Sequence, residues 1–147
     1  MNQMAEPGEL NADMGKRVLV VEDHHDTSFT ICKLLKLEGY DVDHAIDGMA
    51  GYNSASHHHP DLIVTDVQMP RMNGIDMIRR IRTQDELKGV PIIVMSAYGK
   101  RVIADAISAG ADGYIEKPLD FDKFISRIRD ILPTASPEHG VRRSEIQ

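Results

Sequence analysis

A cluster of chemically active side chains directly follows the first apolar segment of the chain. Val18 to Val21 is uninterrupted and apolar, and the next five residues, ending at Asp26, are Glu-Asp-His-His-Asp. Carboxylates and imidazoles this close together are typical of a metal site. Sets of oxygen ligands favour Mg²⁺, whereas neutral imidazole favours softer metals such as Zn²⁺ or Ni²⁺. The first question is which of these side chains are the ligands.

Three further polar side chains each follow an apolar segment later in the chain: Asp66 after Leu62–Thr65, Ser96 after Pro91–Met95, and Lys117 after Gly113–Glu116. Together with metal-binding acids, a carboxylate nucleophile, a hydroxyl group and an ammonium group make up a phosphoryl-transfer site. In this interpretation Asp66 attacks phosphorus, Lys117 and Mg²⁺ neutralise the transferred oxygens, and Ser96 donates a hydrogen bond. Pro118 is predicted to fix the turn that directs Lys117, with a cis peptide bond before the proline.

These groups meet only if strands and helices alternate along the chain. The strands are predicted at Lys16–Val21, Tyr40–Ala45, Leu62–Thr65, Pro91–Met95 and Gly113–Glu116. A helical segment follows each strand. The first helix is predicted to be capped by Asp26 and to end at Gly39, and the last is predicted to stop before Pro133. Such alternation predicts an α/β fold, a flavodoxin-like doubly wound five-stranded parallel sheet of order 2-1-3-4-5 with five helices.

The predicted strand order brings the acids together. Strands 1 and 3 are neighbours in this order, and ligands bind between them at their carboxyl ends. Glu22 and Asp23 end strand 1, and Asp66 ends strand 3. Three carboxylates in one crevice repel each other, and a divalent cation removes that repulsion. The absence of imidazole from this set favours Mg²⁺.

Four stretches resemble the receiver domains of two-component response regulators. They are VLVVED, PDLIVTDVQMPRMNG, PIIVMSA and AGADGYIEKP. All four occur in the family's order, and the resemblance covers about residues 16–132. Four ordered motifs are far more specific than any one alone.

The resemblance implies a role for each group at the site. Asp66 is the implied phosphoacceptor, and Ser96 and Lys117 contact the phosphoryl group. The implied Mg²⁺ ligands are the carboxylates of Glu22, Asp23 and Asp66 and the backbone carbonyl of Gln68. The acids are then the functional part of the first cluster, and a Zn²⁺ or Ni²⁺ site at His24 and His25 is the less favoured alternative.

The resemblance also implies a switch and a set of modulating residues. Tyr114 is the aromatic switch residue, which fills the space that Ser96 vacates on moving toward the phosphoryl group. His24, Gln68 and Tyr98 lie at the rim of the site or beside the path of an attacking water, so they are expected to modulate the phosphoryl lifetime.

Composition limits the other possibilities. The chain has 147 residues, a formal net charge of -6 and one cysteine. A net negative charge argues against direct nucleic-acid binding, and no apolar run approaches the roughly 18 residues of a membrane span. We expect a cytoplasmic receiver domain at 16–133 between flexible tails at 1–15 and 134–147.

The expected function is that of a phosphorylatable receiver in a two-component system or phosphorelay. A histidine kinase or histidine phosphotransfer protein would supply the phosphoryl group to Asp66. The signal would pass to an unknown protein partner through the face formed by helix 4, strand 5 and helix 5. The receiver would not be a conventional enzyme, although it would catalyse its own phosphorylation and dephosphorylation.

Several alternatives remain at this stage. The chain resembles a stand-alone, chemotaxis-regulator-like receiver, but it would also fit a fragment of a larger regulator or hybrid kinase, or a phosphorylation-independent scaffold. A haloacid-dehalogenase-type phosphatase needs a second acid two residues after its nucleophile, where this chain has Gln68. A flavodoxin would need a neutral phosphate loop after strand 1 in place of EDHHD, and the dinucleotide-binding motif G-x-G-x-x-G is absent from that turn.

Overall fold

The computed structural model describes residues 15–69 and 72–134. Within them, five parallel strands form one sheet of order β2-β1-β3-β4-β5. The strands are β1 (Arg17–Val21), β2 (Asp41–Ala45), β3 (Leu62–Asp66), β4 (Ile92–Ser96) and β5 (Gly113–Glu116). The helices are α1 (His25–Leu37), α2 (Gly48–His58), α3 (Gly74–Arg82), α4 (Lys100–Ala109) and α5 (Phe121–Ile131). The predicted doubly wound α/β fold, strand order and helix count are confirmed.

Both faces of the sheet are covered because its central strands are apolar on both sides. On β1, Val18 and Val20 belong to a buried cluster with residues of α1 and α5, including Phe124. Leu19 and Val21 belong to a second cluster with residues of α2, α3 and α4. Successive strand side chains point to opposite faces, so an uninterrupted apolar strand needs helices on each.

The start of α1 differs from the sequence prediction. The N-cap residue is His24, whose ring Nδ1 accepts a hydrogen bond from the backbone N–H of Thr27 over 3.4 Å. Asp26 lies in the first turn instead, where its charge interacts favourably with the helix dipole. The prediction that Asp26 caps this helix is therefore wrong, because an imidazole nitrogen takes the place of the usual carboxylate or hydroxyl cap. The predicted end is confirmed, since Gly39, at a φ of 103°, directly follows the helix cap Glu38.

The predicted tails lie almost wholly outside the described residues, which include only residue 15 of the first and residue 134 of the second. Of the helices within the described ranges, none combines the length and apolarity needed to cross a bilayer.

A buried tyrosine joins the start of β2 to the end of α5. Tyr40 is 3% exposed, and its hydroxyl donates a 2.5 Å hydrogen bond to the backbone carbonyl of Leu132. Burial, together with the negative charge of Glu38, raises the pKa of Tyr40 to about 12. The fold therefore strongly favours the neutral phenol.

This raised pKa predicts how stability changes in alkali. The contribution of Tyr40 should be complete below the unfolded-state pKa of about 10 and be lost as the pH rises to about 12. Two pH units correspond to about 2.7 kcal/mol. Urea unfolding between pH 8 and 12 should show this loss, and Tyr40→Phe should reduce it. Equal pH dependence in the two proteins would contradict the assignment.

Candidate functional site

Three carboxylates meet at the carboxyl ends of β1 and β3. These strands pair directly, with Val21 opposite Thr65, so Glu22 and Asp23 emerge beside Asp66. One oxygen from each of the three carboxylates lies within 4.8 Å of the others. Glu22 and Asp66 are buried and Asp23 is exposed. The structure thus brings together the three acids that the sequence placed at this crevice.

Lys117 links the two buried acids. Its Nζ lies 3.0 Å from Glu22 Oε1 and 3.3 Å from Asp66 Oδ2. Burial raises the pKa of Glu22, and the nearby charge of Asp66 raises it further, against the hydrogen bond from Lys117. Burial alone would lower the pKa of Lys117, but its hydrogen bond to Glu22 and the charge of Asp66 raise that pKa overall. The lysine is therefore held as a cation inside the acidic cluster.

The second oxygen of each buried carboxylate is held by the main chain. Asp66 Oδ1 accepts a 2.7 Å hydrogen bond from the N–H of Val67, and Glu22 Oε2 accepts a 3.1 Å bond from the N–H of His24. Each buried acid therefore contacts a backbone donor through one oxygen and Lys117 through the other. This arrangement restrains the orientation of both carboxylates.

The charge of the site matches a divalent cation. The formal charge of the three carboxylates is minus three, and the ammonium group of Lys117 reduces it to minus two. All the side-chain donors in the cluster are oxygens, which suits Mg²⁺ better than softer metals. The described residues therefore fit Mg²⁺.

Two glycines allow the loops around the site to pack closely. The N–H of Gly74 donates a 2.8 Å hydrogen bond to the carbonyl of Val67, and a Cβ on Gly74 would lie 2.3 Å from the carbonyl oxygen of Asp66. A Cβ on Gly48 would lie 2.1 Å from the carbonyl oxygen of Met72. The absence of side chains at these positions lets the main chain at Gly74 approach Asp66 closely, and lets that at Gly48 approach Met72.

Ser96 ends β4 and is buried next to the residue that pairs with Asp66, Met95. Its Oγ accepts a 3.0 Å hydrogen bond from the backbone N–H of Tyr98. In this arrangement the hydroxyl stabilises the turn after β4. No hydrogen bond between Ser96 and Asp66 is found among the described residues.

The remaining predicted residues surround the acidic cluster at different distances. His24 lines the crevice, whose volume is about 640 Å³ and whose walls also include His25, Asp26 and Thr27. Gln68, two residues after the end of β3, is exposed, and Tyr98 is 52% exposed. Tyr114, on β5, is 43% exposed and does not line this crevice. The peptide bond before Pro118 is cis, as predicted.

One contact to the site was not predicted. His44, on the edge strand β2, places its ring Nε2 3.0 Å from the backbone carbonyl oxygen of Glu22. Within the sequence His44 is one of three polar residues in the strand, with Asp41 and Asp43, and nothing in that pattern distinguishes a site contact from a solvent-exposed side chain.

Comparison with known proteins identifies the family. The family model described as the response regulator receiver domain matches residues 18–129. The chain belongs to this family. Receiver domains are signalling modules of two-component systems that interact with histidine kinases and phosphotransfer proteins. They bind Mg²⁺ at a buried acidic cluster, and this receiver domain contains such a cluster.

Relatives of this receiver domain differ in length. The chain is 33% identical over 134 residues to the DNA-binding dual master transcriptional regulator RpaA of Synechocystis sp., covering 88% of the chain and 55% of RpaA. It thus spans about half the length of this relative and of the response regulator MprA of Mycobacterium sp., to which it is 35% identical over 86% of the chain. It is 30% identical to the polar-differentiation response regulator DivK of Brucella ovis, covering 83% of the chain and 100% of DivK.

Solved structures show the same fold. The chemotaxis response regulator CheY4 of Vibrio cholerae is 26% identical and superposes with a TM-score of 0.76, covering 80% of this chain and 98% of CheY4. The CheX–CheY complex of Borrelia burgdorferi, with BeF₃ and Mg²⁺, includes a chain that is 31% identical with a TM-score of 0.73, covering 79% of this chain and 88% of that one.

Proposed function

We propose that this receiver domain is phosphorylated on Asp66 and that it binds Mg²⁺ through Glu22, Asp23 and Asp66 and the backbone carbonyl of Gln68. The main support is the contact of the Lys117 ammonium group with both buried carboxylates, at 3.0 and 3.3 Å. A cation held between a strand-end aspartate and a neighbouring acid is suited to neutralising a phosphoryl group on that aspartate.

The side chains have different roles in the proposed phosphoryl transfer. The N–H of Val67 holds Asp66 Oδ1, so Oδ2, which faces Lys117, is the oxygen suited to attack phosphorus. Lys117 offsets the charge on the transferred oxygens, and Mg²⁺ supplies further neutralisation when it is bound. Ser96 contributes its hydroxyl after it releases the N–H of Tyr98 and rotates toward the phosphoryl group.

The proposed donor is a histidine kinase or a histidine phosphotransfer protein, and the proposed location is the cytoplasm. The crevice opens to solvent beside the exposed carboxylate of Asp23, which leaves access for a phosphohistidine. His24, Gln68 and Tyr98 are proposed to modulate the rate of hydrolysis. The domain itself supplies the groups for transfer and hydrolysis, so it is not a conventional enzyme.

The proposed output surface is the face of α4, β5 and α5. Large apolar side chains are exposed on these elements, namely Ile107, Tyr114 and Phe121. Movement of Ser96 toward the phosphoryl group, followed by inward movement of Tyr114, would change this face for a downstream protein. The occupant of the face is then a protein partner rather than nucleic acid or membrane.

The relatives support two settings for this chemistry. DivK is matched over its full length, which supports action as a stand-alone receiver. RpaA and MprA are matched over 55% of their length, which supports a receiver within a longer regulator. The chain is also similar to the receiver domain of a signal transduction histidine kinase from Syntrophus aciditrophicus, with 28% identity and a TM-score of 0.74. This similarity supports a receiver within a hybrid kinase as a further alternative.

Phosphorylation can be tested by intact mass spectrometry. The protein incubated with Mg²⁺ and acetyl phosphate should gain a single phosphoryl group, because the proposal has one nucleophile, Asp66, whose Oδ2 lies 3.3 Å from the Lys117 ammonium group. Asp66→Asn and excess EDTA should each abolish the adduct.

Two results would contradict the proposal. An equal adduct on Asp66→Asn would place the phosphoryl group elsewhere. Failure of the wild-type protein with both acetyl phosphate and a phosphorylated histidine phosphotransfer protein would instead favour the phosphorylation-independent scaffold.

A further inference from the structure

We propose that His44 is a positioning residue for the adjacent acids Glu22 and Asp23. Its Nε2–H donates a hydrogen bond to the backbone carbonyl of Glu22 and thereby orients Asp23 for the metal. This inference rests on the proposed Mg²⁺ site. It assigns a role in that site to a side chain of the edge strand β2, which contributes no metal ligand.

Both main-chain polar groups of Glu22 are held from β2. The ladder between β1 and β2 ends at the pair of Val21 and Ala45. One residue further, the N–H of Glu22 donates a 3.0 Å hydrogen bond to the carbonyl of Ala45. The carbonyl of Glu22 faces the His44 ring, with Nε2 at 3.0 Å. A side chain of β2 thus continues the pairing where the strand itself has ended.

The chemistry of this contact fixes the position of one ring proton. A backbone carbonyl oxygen can only accept a hydrogen bond, so Nε2 of His44 must carry the hydrogen. The neutral Nε2–H form and the imidazolium both satisfy this requirement. The contact therefore does not depend on a change in the charge of His44.

The carbonyl of Glu22 belongs to the same peptide plane as the N–H of Asp23, because the peptide bond is planar. Asp23 is the exposed member of the cluster, and no hydrogen bond holds its side chain among the described residues. The orientation of the Asp23 carboxylate therefore depends mainly on the orientation of its own main chain. Holding that peptide plane reduces the ordering needed when the carboxylate binds a cation.

Two substitutions of His44 distinguish the effect of losing the hydrogen bond from the effect of losing the imidazole ring. The side-chain nitrogen of glutamine reaches about as far from the backbone as Nε2, whereas that of asparagine reaches only as far as Nδ1. His44→Gln keeps a donor at the carbonyl of Glu22, and His44→Asn removes it. His58→Asn is the matched control, because His58 is exposed at the end of α2 and does not line the acidic crevice.

Mg²⁺ affinity is measured by calorimetry, with thermal unfolding in EDTA as the stability reference. His44→Asn should weaken Mg²⁺ binding by about tenfold, the lower end of the range for residues that act on a metal through a ligand. His44→Gln and His58→Asn should bind within about twofold of the wild type. All four proteins should unfold at similar temperatures in EDTA, because His44 is exposed on an edge strand.

A metal-free measurement tests the positioning directly. In EDTA, amide NMR should show a shifted Asp23 resonance and faster hydrogen exchange at Asp23 in His44→Asn, with both restored in His44→Gln. Unchanged Asp23 signals, or equal effects of the two substitutions, would overturn the inference. The result is independent of phosphorylation: if the wild type takes no phosphoryl group, the proposed function fails, and this comparison still decides the role of His44.

Discussion

Replacing Lys117 with methionine is expected to slow phosphorylation of Asp66 and, at the same time, to tighten Mg²⁺ binding. The ammonium group lies within 3.3 Å of both buried carboxylates, so in the proposed function it would neutralise a transferred phosphoryl group and would compete with any cation for the same oxygens. Loss of one preorganised charge partner of this kind costs about a hundredfold in rate. Loss of a neighbouring positive charge should lower the Mg²⁺ dissociation constant by several-fold.

The same substitution should destabilise the metal-free protein. Without Lys117, Glu22 and Asp66 would face each other without a compensating cation, and the raised pKa of Glu22 would rise further. Because Glu22 can then take up a proton and the Lys117 side chain is 20% exposed, we expect a loss of about 2 kcal/mol, less than for a fully buried ion pair. Saturating Mg²⁺ should recover part of this loss, because the ion replaces the missing charge.

Three measurements test this prediction: the initial rate of adduct formation at saturating Mg²⁺, the Mg²⁺ dissociation constant, and urea unfolding with and without metal. Lys123→Met is the matched control, because Lys123 is exposed on α5 and lines the groove beside β5 rather than the acidic crevice. Weaker Mg²⁺ binding in Lys117→Met would show that the lysine supports the metal ligands rather than competing with the ion.

The fold could be predicted because its main determinant is a pattern along the chain. Five apolar segments that alternate with helical ones have few compact arrangements, and right-handed crossovers reduce these to the observed strand order. The meeting of Glu22, Asp23 and Asp66 follows from that order, because the carboxyl ends of adjacent parallel strands lie side by side. β5 is not a neighbour of β1 or β3, so Lys117 reaches the acids past the end of β4, and its position at the same edge of the sheet indicates this contact less directly.

The individual caps and hydrogen bonds could not be predicted. They depend on local geometry, and the pattern of apolar and polar residues does not distinguish the residues that could form them. His24 and Asp26 are both able to cap α1, and the choice depends on where β1 ends and the chain turns. The bond from His44 to Glu22 depends on the direction of one side chain on an exposed strand, which periodicity does not encode. The position of Ser96 at the end of β4 predicts a hydroxyl near the site but not its bonding, and in the structure its Oγ accepts a hydrogen bond from the N–H of Tyr98.

Gly74→Ala is expected to destabilise the protein by about 3 kcal/mol, although alanine is the better helix former. Gly74 is the first residue of α3, where propensity alone would favour alanine. The added Cβ would lie 2.3 Å from the carbonyl oxygen of Asp66 and 3.0 Å from the Cα of Val67, both backbone atoms that cannot rotate away. The main chain at Asp66 must therefore move, and phosphorylation should slow more than tenfold even where the variant remains folded.

Gly89→Ala is the control for Gly74→Ala. It separates the effect of the close contact at Gly74 from the effect of replacing a glycine with alanine. Gly89 has no atom within 4 Å of an added Cβ and no positive φ, so its substitution should leave stability unchanged or slightly increase it by restricting the unfolded chain. Urea unfolding gives the stability of each variant, and adduct formation well below the unfolding temperature gives the effect on Asp66. A stable Gly74→Ala that is phosphorylated at the wild-type rate would mean that the loop moves without disturbing Asp66. The close approach of Gly74 would then serve packing alone, and the position of the Asp66 carboxylate would depend on the hydrogen bond from Val67 and the contact with Lys117.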